Sequence, residues 1–325
     1  MKRLSYTEGL EYHFSHRAEP RLRVDLGESV ICETEDSFVG QMYDEGALPT
    51  PAHVPQLART PAELNPTTGP IWIEGVHAGD VLIVNIEKVI PAERGFTCIQ
   101  PTTGPLARNA DWPLFLEPRV FQFNYLPGES GTRRDGRLSA LDGKFEVPLR
   151  PFVGTLGVAP DHEEESTVLG QGAWGGNIDC RDVTAGNQVY LNVYHDGGLF
   201  FIGDMHAAQG DTEFFGTAAE ARGEVHLSFD VIRNKQIPFI RIKKPGSIVQ
   251  LYAYRPLEDA VRSATIHLME WLKDEYGLSE EEAFLHVEVN PEFRINIYQC
   301  VRLDRLAFVV GAELPTEALT KGSGG

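Results

Sequence analysis

The order of apolar and polar positions describes a chain built mainly of strands. Leu82, Val84 and Ile86 alternate with Ile83, Asn85 and Glu87, the period of two that puts one side of a strand in a core. A strand is therefore expected over Val81–Val89. The same alternation runs through Val189, Leu191 and Val193, through Val225, Leu227, Phe229 and Val231, and late in the chain through Phe293, Ile295 and Ile297. Glu28–Thr34, Ile71–Glu74 and Ile248–Tyr254 read as further strands, and the apolar run Leu199–Ile202 leads into a polar segment. One helix stands out. Ala260, Ala264, Leu268, Trp271 and Leu272 recur at three- and four-residue steps, and Gly277 ends the run. Ser279 and Glu282 have the spacing of a capping box and start a short second helix.

Between these elements the chain is rich in turn residues. Gln41–Pro70 reads as a long surface connection closed by a turn at Asn65–Pro70. Asp196-Gly197-Gly198 has hairpin-turn chemistry. Ser130–Gly143 reads as an exposed hairpin or loop, and Lys321–Gly325 as a disordered tail. With 32 glycines and 21 prolines, the expected fold is a β-rich α+β architecture. Mostly antiparallel strands form sandwich or barrel-like layers, with a few helices including the C-terminal pair. Residues 1–320 are taken as one domain, either undivided or as two closely packed β-rich subdomains.

Composition narrows the partners. The 325 residues carry a net charge of −18. A surface this acidic repels phosphate backbones and anionic lipid heads, so neither nucleic acid nor membrane is expected, whereas a neutral small molecule is not repelled. Cys32, Cys98, Cys180 and Cys300 are too far apart for a Cys-x-x-Cys motif and read as buried thiols. Met1-Lys2-Arg3-Leu4-Ser5 is not followed by an apolar run, so no signal peptide is expected and the cytoplasm is the expected location.

Three segments combine polar side chains with glycine: Gly175–Asp179, Gly203–Glu213 and Gly216–Glu220. Asp204 and His206 are two residues apart at the end of an apolar strand, which sends both side chains to one face. A carboxylate and an imidazole converging there can bind a divalent metal, and Asp179, Asp211, Glu213 or Glu220 can add an oxygen. The plainer alternatives are an exposed acid beside a hydrogen-bonded histidine, solvated or ion-paired Glu213 and Glu220, and turn roles for Asn177 and Asp179. His53, in the long connection, is placed to close over a site. There is no Gly-x-Ser-x-Gly elbow and no phosphate-binding loop.

The run Gly203-Asp204-Met205-His206-Ala207-Ala208-Gln209-Gly210-Asp211, with Glu213 and then Gly216-Thr217-Ala218-Ala219-Glu220, resembles the signature of the acetamidase/formamidase family. Gly176-Asn177-Ile178-Asp179, Asn65–Pro70 with Gly79-Asp80-Val81-Leu82, Pro151–Pro160, and Gly277-Leu278-Ser279 with Glu282-Ala283 are similar to further blocks in the same order. The resemblance spans about residues 28–315. It implies a β-rich fold, hydrolysis of short amides to acid and ammonia, a divalent metal and a homo-oligomer. Thr212 stands where glycine is common, Phe214 and Phe215 are bulkier than expected, and Gln41–Thr60 and Phe121–Gly143 look individual.

On this footing the expected activity is cleavage of the C–N bond of a small linear amide by metal-activated water. Asp179, Asp204 and His206 are expected to hold zinc or a similar ion. Glu220 is expected as general base, with His206 and Asp204 in the catalytic group, and Asn177 and Gln209 as hydrogen-bonding partners of the substrate. The alternatives are a hydrolase of a larger amide or lactam, with Phe214 and Phe215 lining an apolar pocket, and a catalytically silent member holding a small ligand or a structural calcium.

Overall fold

A computed structural model describes residues 1–107, 109 and 111–319; the tail expected to be disordered lies outside them. The chain adopts the expected β-rich architecture, one connected network of 18 strands with a separate two-stranded pair. Among the described residues only two pairings are parallel, Lys2–Leu4 with Val30–Thr34 and Leu22–Val24 with Thr67–Ile73. Several strands have more than two partners. Phe200–Ala208 pairs with Phe152–Gly157, Thr67–Ile73 and Ala219–Ile232, so the sheet divides and folds back into layers.

The alternating pattern at Val81 continues past Val89. The strand runs Val81–Ile99, antiparallel to Ala219–Ile232 from Ile232↔Val81 to Glu220↔Phe96. Pro91 and Gly95 suggest a stop in the sequence, because proline cannot donate to a ladder. Pro91 instead sits at a register irregularity opposite Gly223. At Gly95, a Cβ would lie 2.1 Å from the Glu220 carbonyl oxygen and 2.1 Å from the Tyr125 hydroxyl. Glycine is needed there for the Glu220 strand to approach.

Three expectations are corrected. Asn65–Pro70 is not a turn: Thr67–Ile73 is a strand. Gly69 belongs to it because a Cβ would meet the Phe200 carbonyl oxygen at 2.7 Å, so a residue read as turn chemistry serves close packing. Gln41–Pro70 is only partly surface. Met42, Val54 and Leu64 are buried with Phe38, Phe96, Val168, Val301 and Leu306 in a second core cluster. The Asp196–Gly198 turn does not join a hairpin. Gln188–Asn192 pairs with Val81–Ile99 and Arg241–Lys244, while Phe200–Ala208 pairs elsewhere.

The C-terminal part follows the pattern closely. Helix α1 spans Leu257–Tyr276 and buries Ala260, Ala264, Leu268, Trp271 and Leu272 against strands Ser247–Tyr254 and Phe308–Pro315. Gly277 ends it in the left-handed region at φ 70°. Helix α2, Glu280–Glu288, starts with the capping box of Ser279 and Glu282. Ser130–Gly143 carries part of the connecting loop and the second strand, Arg137–Ala140, of a hairpin with Arg119–Leu126, Asn124 facing Ser139. Cys32, Cys98 and Cys180 are buried thiols, Cys300 is half-buried, and all four are unpaired. Among the described residues no helix is long and apolar enough to cross a membrane.

Candidate active site

The strand Phe200–Ala208 changes neighbours in its middle. On one edge Gly203 faces Thr67, and two residues later Met205 faces Ala221. Asp204 lies at the switch, in the left-handed region at φ 56°. Its strand partners on the opposite edge, Thr155 facing Gly203 and Val153 facing Met205, keep the chain extended on either side. Asp204 and His206 still converge, with His206 Nε2 3.4 Å from Asp204 Oδ1. Glu220 enters from across the strand, paired with His206 in register and with Oε1 3.2 Å from the same Nε2. Asp179 follows the short strand Gly175–Asn177 at φ 41°, and Glu213 lies in the Asp211–Gly216 loop at φ 45°. Three acids of one cluster in a sparsely populated conformation mark a place where local backbone preference gives way to side-chain placement.

All five groups are buried. Two overlapping sets lie close enough to hold a metal ion: Asp179, His206 and Glu213, and Asp204, His206 and Glu220. Asp179 and Asp204 thus meet His206 from two sides. Gly154 makes the space between them. A Cβ there would lie 2.6 Å from Asp179 Oδ1 and 2.8 Å from Asp204 Oδ2.

The hydrogen bonds divide these groups into satisfied and unsatisfied atoms. Asp204 Oδ2 accepts from Asn65 Nδ2 at 2.8 Å and from the Thr155 hydroxyl at 3.0 Å. Glu220 Oε2 accepts from the Ser37 hydroxyl at 2.8 Å, and Oε1 from the Ala218 N–H at 3.0 Å. Gln299 donates to Asp179 Oδ2. By contrast Asp179 Oδ1, Asp204 Oδ1 and His206 Nε2 are buried with no hydrogen-bond partner among the described residues. Leaving such atoms unpaired is costly.

Gln209 fixes the imidazole. Its amide nitrogen donates to the carbonyl oxygens of Asp179 and Tyr298, both at 3.2 Å, so its Oε1 faces His206 Nδ1 at 3.0 Å as the acceptor. Nδ1 therefore carries a proton, and in the neutral ring Nε2 carries the lone pair. The charges are unbalanced. Burial pushes the Asp179 carboxyl up to about 7, with the Asp204 charge adding to it. Burial and Asp179 push Glu213 well up, and burial pushes Glu220 up against the pull of His206. Burial opposes charge on His206 as well, but Glu220 and Asp204 outweigh it and hold its pKa well above the ordinary value. Several carboxylates with one imidazole need extra positive charge, supplied by protons or by a cation.

A small cavity of about 70 Å³ opens onto this cluster. Asn177, Asp179, Asp204, Glu213 and Glu220 are among the residues that line it. Asn177 also lies in the wall structurally: its amide nitrogen donates to the Val168 carbonyl at 2.8 Å, and its oxygen accepts from Thr155 at 3.3 Å.

Glu213 is neither solvated nor an exposed ion pair but 7% exposed, inside the cluster. Asp211 is outside it, paired with Arg181 at 3.1 Å at the surface. His53 is exposed, 3.4 Å from the Thr50 hydroxyl, and does not line the cavity. Phe214 and Phe215 do not line it either. Phe214 faces a separate apolar cleft, and Phe215 packs edge-on against Phe115 at 4.9 Å. The positive φ of Thr212 (81°) and Glu213 turns the loop so that the acid points in and the phenyl rings out. Sequence reasoning missed Ser37, Asn65, Thr155 and Gln299. Asn65 stood in a recognisable block but read as a turn residue; Ser37 and Gln299 carried no signal.

A sequence profile described as the Acetamidase/Formamidase family matches residues 162–319, which contain Asp179, Asp204, His206, Gln209, Glu213 and Glu220. An acetamidase from Bacillus halodurans superposes with a TM-score of 0.85 at 26% identity, covering 99% of this chain and 100% of that one. The chain is similar to the acetamidase/formamidase family in its C-terminal half by sequence and over nearly its whole length by fold. A second solved structure, an acetamidase from Yersinia enterocolitica, superposes with a TM-score of 0.82 at 29% identity, covering 98% of this chain and 92% of that one. In sequence, the acetamidase of Mycolicibacterium smegmatis is 26% identical over 295 residues, 69% of this chain and 72% of the relative.

Proposed function

We propose that this amidase cleaves the C–N bond of a small, neutral, linear amide with the help of a divalent metal held by Asp179, Asp204 and His206. One observation carries the choice of ligands. Asp179 Oδ1, Asp204 Oδ1 and His206 Nε2 are buried cluster atoms without a hydrogen-bond partner among the described residues, whereas both oxygens of Glu220 already accept hydrogen bonds. A cation suits a deprotonated Nε2 between carboxylates, and the donor set of one imidazole and carboxylate oxygens favours zinc over calcium, which takes oxygen ligands. When bound, such an ion polarises the amide carbonyl and brings the pKa of a water to about 7.

The remaining work falls to the chain's own residues. Gln209 keeps the imidazole in the Nδ1–H tautomer and does not reach the cavity. Asn65 and Thr155 hold one oxygen of Asp204 and leave the other free. Ser37 and the Ala218 N–H aim Glu220, which takes a proton from water and returns it to the leaving amine as general base and then acid. Burial raises the Glu220 carboxyl, the direction that helps it hold a proton in transit. Assembly of several copies and a cytoplasmic setting belong to the same reading, and light scattering of the purified protein checks the copy number.

The test joins metal analysis to ammonia release from linear amides before and after chelation. The expected result is about one divalent ion per chain and activity lost with the ion. Undiminished hydrolysis by metal-free protein would end this mechanism.

A further inference from the structure

In a chain of net charge −18, three of the 29 basic residues meet in one place. Arg134, Arg150 and Arg181 line an open cleft of about 730 Å³, together with Gln209. The cleft shares no lining residue with the small cavity over the acids. The fold gathers the arginines from separate positions. Arg134 sits in the short turn Arg133–Asp135, where Arg133 donates to the Pro91 carbonyl at 2.8 Å. The Leu149 N–H donates to the Gly136 carbonyl at 2.8 Å, and the Arg150 N–H to the Ala207 carbonyl at 2.9 Å. Those two bonds seat Arg150 between that turn and the end of strand Phe200–Ala208. Arg181 stands two residues after Asp179.

The acids of the cleft are already engaged. Asp135 accepts from the N–H and the hydroxyl of Ser130. Asp182 accepts from Lys244 at 3.1 Å and from the Tyr298 hydroxyl at 2.6 Å. Among the described residues the Arg134 and Arg150 guanidiniums have neither an ion pair nor a hydrogen bond. Arg181 pairs with Asp211 at 3.1 Å, and both partners are exposed.

We propose that this cleft is an effector site for a small dianion whose charge is carried by phosphate or carboxylate oxygens. A guanidinium presents a planar fork of N–H donors that fits either group. The cleft has the size of a small-molecule site, and its arginines attract an anion that an acidic surface otherwise repels. Occupancy reaches the active site through Arg181. Asp211 stands two residues after Gln209 and two before Glu213, so the Arg181–Asp211 pair ties the Asp179 segment to the loop that carries Glu213. A bound dianion competes with Asp211 for Arg181 and loosens that tie. The effect on rate rests on the amidase reading; the binding does not.

Titration calorimetry of the zinc-loaded protein with inorganic phosphate, succinate and acetate, at one ionic strength set with sodium chloride, reads binding. Ammonia release in the same solutions reads the effect on rate. Phosphate or succinate should bind at about one per chain and acetate about tenfold more weakly. Tighter binding of phosphate assigns a phosphate ligand, tighter binding of succinate a dicarboxylate, and either supports the site. Bound dianion should lower kcat/KM about two- to fivefold, the scale of an exposed ion pair. Arg134→Gln combined with Arg150→Gln should keep the rate measured without dianion. It should weaken binding about tenfold per arginine and remove the effect of dianion on rate. Asp211→Asn should lower the rate with no dianion present and leave it insensitive to one. Failure of both dianions to bind overturns the site. Binding and inhibition reproduced in full by the double variant place the anion elsewhere, at the metal included, and overturn it too. Binding that depends on the arginines but leaves the rate unchanged overturns the effector role. A protein that releases no ammonia from any amide overturns the amidase reading, while calorimetry of the double variant still decides the site.

Discussion

Two regions of this protein bury their side chains by opposite rules. The helix α1 layer places five apolar residues against two strands, ends at a left-handed glycine and passes to a capped second helix. Propensity, periodicity and packing agree there. The cluster around His206 buries four acids and an imidazole, leaves three of their buried polar atoms without a partner among the described residues and holds three of the acids at positive φ. Each of these features costs stability on its own. The difference shows which region holds the molecule together and which one is held. Substitutions in the first region should act on stability and leave the chemistry of folded molecules alone. Those in the second should do the reverse.

The largest expected effect is at His206. It belongs to both candidate ligand sets, so His206→Ala should lower kcat by more than about 10,000-fold, beyond the range of a missing general base, and release the ion. Circular dichroism and a melting curve should show a folded chain. Retention of most of the rate by folded protein would make His206 structural and dissolve the contrast between the regions. Glu220→Gln should come next, lowering kcat by about 100- to 10,000-fold with the ion retained. Metal content and kcat measured on one preparation separate the roles: loss of both makes Glu220 a ligand, and loss of neither removes it from the site.

The reverse case is Trp271, fully buried on the inner face of α1. Trp271→Ala should cost about 3–5 kcal/mol of stability, read by denaturant unfolding, while kcat per folded molecule stays near normal. A large fall in kcat would mean that the layer is coupled to the site. The smallest effect belongs to Ser279, whose side chain accepts from the Glu282 N–H at 3.2 Å. Ser279→Ala should cost about 1 kcal/mol with activity unchanged. A loss of several kcal/mol would show that α2 contributes more to the layer than its single turn of capping suggests.

What the amino-acid order determined by itself was local. The five buried positions of α1, the glycine stop, the capping box and the strand character of most of the chain follow from periodicity and turn chemistry, because each depends on residues within a few positions of one another. The pairing of Asp204 with His206 was legible for the same reason, being two steps along one strand. Tertiary structure alone decided the rest. It extended Val81–Val89 past Pro91 to bring Phe96 opposite Glu220, made a strand of Thr67–Ile73 and turned Glu213 inward. It also brought Ser37, Asn65, Thr155 and Gln299 onto the acids from separate parts of the chain. Those contacts join residues separated by 183, 139, 49 and 120 positions. A hydrogen bond across such a distance depends on how the layers close, and no local preference of the backbone encodes it.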